Sequence, residues 1–113
     1  MAETEPTVSR ATPRIRHNVY FEGAVQSLGF SADGEYATVG VISPGRYRFM
    51  TEHPERTTIT SGVLKVRLRG ENWRSLRIGQ AFAVAAGVAF DLQAEMDVAY
   101  LCEFEGAAFP DER

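Results

Sequence analysis

Val63-Leu-Lys-Val-Arg-Leu68 alternates apolar and basic residues one by one from Leu64 onward. In an extended chain Leu64, Val66 and Leu68 share one face, while Lys65, Arg67 and Arg69 share the other. That is a strand with one wet face, because a helix would need an apolar period near 3.6. The same period continues outward in both directions. Residues 38–42, 47–50 and 58–61 read as strands upstream, and 81–84, 90–93 and 98–104 downstream. Val98, Tyr100, Cys102 and Phe104 form a second apolar row of one parity. Turn residues punctuate these runs at Ala32-Asp-Gly34, Ser43-Pro-Gly45, Ser61-Gly62, Arg69-Gly-Glu-Asn72 and Ala86-Gly87. No window of ten residues carries a helical stripe. The reading is an all-β sandwich, barrel or jelly roll.

The chain has 113 residues, one domain's worth, with 44% apolar and 24% charged residues. Residues 1–17 hold prolines, Ser/Thr and a basic cluster of Arg10, Arg14, Arg16 and His17, with little apolar content. They are expected to form a disordered arm that can be removed without loss of fold. The arginines offer an anionic contact, but the composition favours a solvated tail. Residues 18–105 form the expected domain, and 106–113, with Pro110 and acids, a frayed tail.

Several chemistries are excluded or disfavoured. The net charge of −3 provides no basic field for nucleic acid. Arg46-Tyr-Arg-Phe49 places its arginines and aromatics on opposite faces, which undercuts a joint stacking and phosphate platform. No run approaches the ~20 apolar residues of a membrane span. The acidic start does not resemble a signal peptide, and the single cysteine, Cys102, excludes an intramolecular disulfide; a cytoplasmic protein is expected. No phosphate-cradling glycine motif is present. Cys102 reads as a small buried hydrophobe rather than a nucleophile. His53 with Glu52 and Glu55 forms a thin donor set for a metal, and a solvated turn suits them better.

A larger pattern runs across the domain. Asn18-Val-Tyr-Phe-Glu-Gly23, Ser27-Leu-Gly-Phe30 and Val39-Gly-Val41 come first. Gly45-Arg-Tyr-Arg-Phe49, Thr51, Pro54-Glu55 and Thr58-Ile-Thr-Ser-Gly62 follow in order, then Gly79, Phe82, Val84, Phe90-Asp-Leu-Gln93 and Tyr100-Leu-Cys102. From residue 18 to about 105 this ordered set resembles the pyrimidine/purine nucleoside phosphorylases, which are small single-domain cupins. The resemblance implies a cupin jelly roll, closed as a double-stranded β-helix barrel. It implies phosphorolysis of pyrimidine and purine nucleosides to free base and pentose 1-phosphate, a pentosyl transfer with inorganic phosphate as co-substrate and no cofactor or metal. Where metal-binding cupins carry histidine and glutamate ligands, this chain has Thr51, His53 and Glu55, and Phe90 in place of a further histidine. Ala85 stands where the second cupin signature usually has proline.

Cupin geometry turns Thr51 and His53 into the barrel, and period two turns Tyr47 and Phe49 the same way. Thr51, His53 and Glu55 are therefore the catalytic candidates. Tyr47, Phe49 and Phe90 are the candidate wall for sugar and base, although a plain core role suits them equally. Thr58, Ser61, Gln93 and Tyr100 are outer substrate-binding candidates. No arginine reads as inward-facing, so the phosphate ligands stay open. A non-catalytic cupin binding a sugar or nucleoside would use the same pocket, and a purely structural jelly roll would need none. Open strand edges must be paired or covered, which suggests a homodimer. Its contact is placed along residues 20–30, where Phe21, Val25, Leu28 and Phe30 crowd beside Val19.

Overall fold

A computed structural model of the chain describes residues 15–108. The described residues form β1 (Arg16–Tyr20), β2 (Val25–Ala32), β3 (Glu35–Ile42), β4 (Gly45–Met50) and β5 (Glu55–Ser61). They continue with β6 (Leu64–Leu68), β7 (Arg74–Leu76), β8 (Ala81–Val84), β9 (Ala89–Ala94) and β10 (Val98–Ala108). One 3-10 turn, Phe21–Gly23, interrupts the pattern. Its left-handed backbone (φ 53° at Phe21, 57° at Glu22) reverses the chain sharply and lays Phe21 against Tyr47 and Phe49.

The strands make two antiparallel sheets. A six-stranded sheet runs β1-β2-β3-β10-β5-β8, and a four-stranded sheet runs β4-β9-β6-β7. The jelly-roll architecture is present, but the sheets do not close into the expected barrel. No strand of one is hydrogen-bonded into the other, so the domain is an open sandwich. The core lies between the sheets. Leu64 and Val66 of β6, Ile59 of β5, Val25 of β2 and Val98 of β10 are all but inaccessible to water. The period-two faces in β6 and β10 follow the alternation in sequence.

Both domain ends differ from expectation. Arg16 and His17, placed in the disordered arm, belong to β1, where they pair with Gly29 and Leu28. Residues 106–108, placed in the frayed tail, continue β10, and Ala107 is buried. Backbone pairing extends a strand beyond the point where apolar pattern marks it, because the ladder uses only main-chain groups. The rest of both segments, residues 1–14 and 109–113, lies outside the described residues.

The outer face of the small sheet is tied by charge. Asp91 in β9 lies directly between Arg48 in β4 and Arg67 in β6. Arg48 donates from 2.8 Å and Arg67 from 2.9 Å. These two donors hold the Asp91 carboxyl down to about 2, against an ordinary value of 3.8. Arg67 and Arg46 also cover the ring of Trp73, at 4.5 and 5.3 Å.

Two predictions follow from this packing. A carboxyl whose proton affinity falls on folding stabilises the fold above its unfolded value and loses that contribution as pH drops through the folded one. Urea unfolding should therefore show stability declining as pH falls from 3.8 toward about 2. Asp91→Asn should lack that component, and identical profiles would contradict it. Separately, a Cβ at Gly40 would stand within 2.6–2.7 Å of the Tyr100 ring and the Gln26 carbonyl. Gly40→Ala should cost about 1–3 kcal/mol in the same assay, the usual penalty for overpacking.

Candidate functional site

A cavity of about 410 Å³ opens between the two sheets. Its lining divides by chemistry. Phe49 of β4, Phe90 of β9 and Phe82 of β8 form an aromatic end. Phe49 and Phe90 are cross-strand partners, stacked at 5.9 Å, and Phe82 tilts against Phe90 at 5.8 Å. Along the rest of the lining the large sheet presents hydroxyl groups from Tyr20, Ser27, Tyr36, Thr38, Thr57 and Tyr100, with Phe104 against Tyr36. Tyr20 joins the two ends, its ring edge-on to Phe49 at 5.5 Å.

Local sequence explains the hydroxyl end. Tyr36 lies over Gly29 and Tyr100 over Gly40, and a side chain at either glycine would collide with the ring. The tyrosines can lie flat across neighbouring strands only because those positions lack a Cβ. Asn18 donates to both Ser27 Oγ and Tyr36 Oη at 3.1 Å, which fixes β1 to β2 and β3 on the cavity side. Burial raises the Tyr20 and Tyr100 phenols above their ordinary range, so both remain protonated donors at neutral pH.

Glu55 opens β5 and faces the cavity. Burial raises its carboxyl above the usual value, while a hydrogen bond from Cys102 and the nearby His53 pull it the other way. Cys102 Sγ is 3.5 Å from Glu55 Oε1. Burial pushes the Cys102 thiol up to about 12, so it is an S–H group rather than a thiolate nucleophile.

Five of the sequence candidates therefore meet in the cavity: His53, Glu55, Phe49, Phe90 and Tyr100. The other five do not line it. The Thr51 hydroxyl is used internally, donating to the Ala85 carbonyl and accepting from the Val88 N–H at 3.0 Å. Thr51 also exchanges backbone hydrogen bonds with Val88 and Gly87, so it latches the turn before β9. Tyr47 is buried, and its hydroxyl donates to the carbonyls of Ser43 and Pro44. Thr58 has the opposite parity to Thr57 and Ile59, which face inward. Ser61 is exposed at the end of β5, and Gln93 accepts from Arg46 on the outer face. Sequence reasoning missed Tyr20, Ser27, Tyr36, Thr38 and Thr57. Parity against Tyr100 and Glu55 would have marked Thr57. The others depend on strand pairing, which period alone does not specify.

A model of the pyrimidine/purine nucleoside phosphorylase family matches residues 15–104. The chain belongs to the pyrimidine/purine nucleoside phosphorylase family. Members from Vibrio vulnificus and Vibrio cholerae are 48% and 50% identical to it over 91 residues, spanning 80% of this chain and 98% and 96% of theirs. A crystal structure of a protein of unknown function from Vibrio parahaemolyticus is 44% identical and superposes with a TM-score of 0.77, covering 79% of this chain and 96% of that one. A cupin superfamily protein from Desulfitobacterium hafniense, 11% identical with a TM-score of 0.61 and covering 71% and 75%, shares the fold alone. In this phosphorylase-family chain the cavity lies between the two sheets of the shared fold. Among the described residues no three His, Cys, Asp or Glu side chains converge as metal ligands would.

The latch role of Thr51 is testable. Thr51→Val removes the hydroxyl, leaves the Ala85 carbonyl and the Val88 N–H short of a partner, and should cost about 1 kcal/mol. Thr51→Ser should retain near-native stability in denaturant titrations. Equal stability of Thr51→Val and wild type would show the hydroxyl to be dispensable there.

Proposed function

We propose that this chain is a metal-independent nucleoside phosphorylase, a pentosyltransferase acting on pyrimidine and purine nucleosides with inorganic phosphate. The observation that carries the reading is the cavity's lining: stacked phenylalanines on β4 and β9, clustered hydroxyls on the large sheet, and a half-buried carboxyl between the sheets. Family membership supports the same reaction.

The chemistry maps onto these parts. The base stacks on Phe49 and Phe90, which discriminate little between one ring and two. The pentose and phosphate lie toward Ser27, Tyr36 and Tyr100, whose hydroxyls donate to anionic oxygen. A phosphate oxygen attacks the anomeric carbon as the bond to the base nitrogen breaks. The electron pair leaves with the base, which takes a proton from Glu55. The two products are the free base and pentose 1-phosphate. Positioning and electrostatics supply most of the acceleration. Burial suits Glu55 to this task by keeping more of it protonated near neutral pH. His53 at the rim bears on the proton affinity of Glu55.

Phosphate also requires positive charge. Arg16 shares a strand face with Asn18 and Tyr20, and its charge is felt at the Tyr20 phenol. It is the arginine that a disordered arm would have removed from consideration. On that ground Arg16 is assigned to the phosphate in this reading.

The same reading includes a cytoplasmic homodimer. Among the described residues no helix is long and apolar enough to cross a membrane. Of the 20–30 contact residues, Val25 is core and Phe30 half-buried, while Leu28 is exposed. Leu28 sits beside Val39 on the outer face of the large sheet, with exposed Val41 next along β3. A second copy packed on that face would cover them. Leu28→Asp should then give a monomer mass in light scattering, whereas an unchanged mass would move the contact elsewhere.

The deciding assay is chromatographic release of free base from uridine, inosine and adenosine, with and without phosphate. Release should require phosphate and survive dialysis against a strong chelator. Glu55→Gln should lower kcat by about 10²- to 10⁴-fold, the usual worth of a general acid. Arg16→Ala should raise KM for phosphate more than KM for nucleoside. Phosphate-independent cleavage would indicate a hydrolase. Thermal stabilisation by nucleosides without turnover would indicate the non-catalytic binding cupin.

A further inference from the structure

We propose that Cys102 is a positioning residue for Glu55, its thiol holding one carboxyl oxygen so that the other is presented to the cavity. The inference rests on the role given to Glu55 above. It adds a residue that the reaction itself does not consume.

The geometry carries it. Cys102 sits at the middle of β10, paired with Thr38 of β3 on one side and Thr57 of β5 on the other. Its side chain is 4% exposed and lines the cavity floor. Glu55 is two residues from Thr57 on the same face of β5, diagonal to Cys102. A glutamate at the mouth of a strand can swing its carboxyl to water. Here the carboxyl is turned inward, with Oε1 at 3.5 Å from Sγ. The thiol remains protonated, so it donates to Glu55 while its sulfur accepts from the Thr57 hydroxyl.

The groups facing Glu55 are few. His53 approaches from the preceding turn, Tyr20 from β1 and Tyr100 from β10, with Arg16 and Tyr36 acting on the same cluster through Tyr20. Glu52 lines the same cavity, and Val84 of β8 opposite Glu55 is apolar. Against this background the choice of a thiol has a consequence. An S–H group is a weaker donor than a hydroxyl. It orients the carboxylate without stabilising its charge as strongly as serine would. The thiol thus takes less from the raised proton affinity that burial gives Glu55 than a serine would.

The test is a carbon-13 NMR titration of the Glu55 carboxyl in wild type, Cys102→Ala and Cys102→Ser, alongside the pH profile of kcat for uridine phosphorolysis. Removing the donor should raise the Glu55 pKa by about half a unit or more, and serine should lower it by a similar amount. The alkaline limb of kcat should move in the same order, alanine above wild type above serine. Melting temperatures separate these effects from lost packing. If alanine prevents folding, the serine shift alone decides. Coincident Glu55 titrations in the folded variants would overturn the inference whatever the activity. Ordered titrations with an unmoved kcat profile would leave Cys102 acting on Glu55 but remove Glu55 as the acid, which overturns the functional reading and with it the role of Cys102 in turnover.

Discussion

Two tyrosine rings lying across two glycines shape everything on the cavity side of the large sheet. Tyr36 covers Gly29 and Tyr100 covers Gly40. These contacts bring β2, β3 and β10 together with their polar tips converging rather than splayed toward water. Strand β10 is the pivot, since it pairs with β3 along one edge and β5 along the other. Its inward row serves two purposes. Val98 closes the core, while Tyr100, Cys102 and Phe104 line the cavity. A sheet interior that would otherwise be plain hydrocarbon thereby carries donors at fixed positions. Preorganised donors of this kind need no rearrangement when charge develops beside them.

Charge is segregated between the two sheets. The outer face of the small sheet holds arginines, bound to Asp91 and laid over Trp73. Their task is to tie β4, β9 and β6 side by side. The cavity instead holds phenols, alcohols, one thiol and one raised carboxyl, with Glu52 and His53 also on its lining. Such a lining suits a nucleoside, a largely neutral molecule with a flat face and a hydroxyl-rich ring. On the proposed reading phosphate needs a cation, and Arg16 of β1 is the arginine whose charge reaches the Tyr20 phenol.

The sequence was most informative where alternation was strict. In β6 the row of Leu64, Val66 and Leu68 identifies the inner face without ambiguity, and β10 does the same through Val98, Tyr100 and Cys102. Phe49 was legible as lining by its parity and Phe90 by the family pattern. Thr51 was legible as inward but not as occupied. Its hydroxyl partners are main-chain groups at Ala85 and Val88, remote in sequence, and backbone partners leave no trace in residue identity. Gln93 and Thr58 were misplaced for a simpler reason. Each lies one residue from an inward position, and a shift of one in a strand reverses the face. Arg16 was hidden by composition, since a polar edge strand resembles a disordered segment until its pairing with β2 is known. The barrel closure implied by the family pattern also fails to appear, because hydrogen bonding between the sheets is not encoded in alternation.

The central claim is that the cavity has a polarity: base at the phenylalanines, pentose and phosphate at the hydroxyls. A crystal structure of the protein with uridine and phosphate, or with ribose 1-phosphate and uracil, tests this most directly. The account predicts the base stacked against Phe49 and Phe90, with phosphate oxygens within hydrogen-bond reach of Ser27, Tyr36 or Tyr100. A base lodged among the tyrosines with phosphate at the aromatic end, or a ligand bound outside the sandwich altogether, would contradict it.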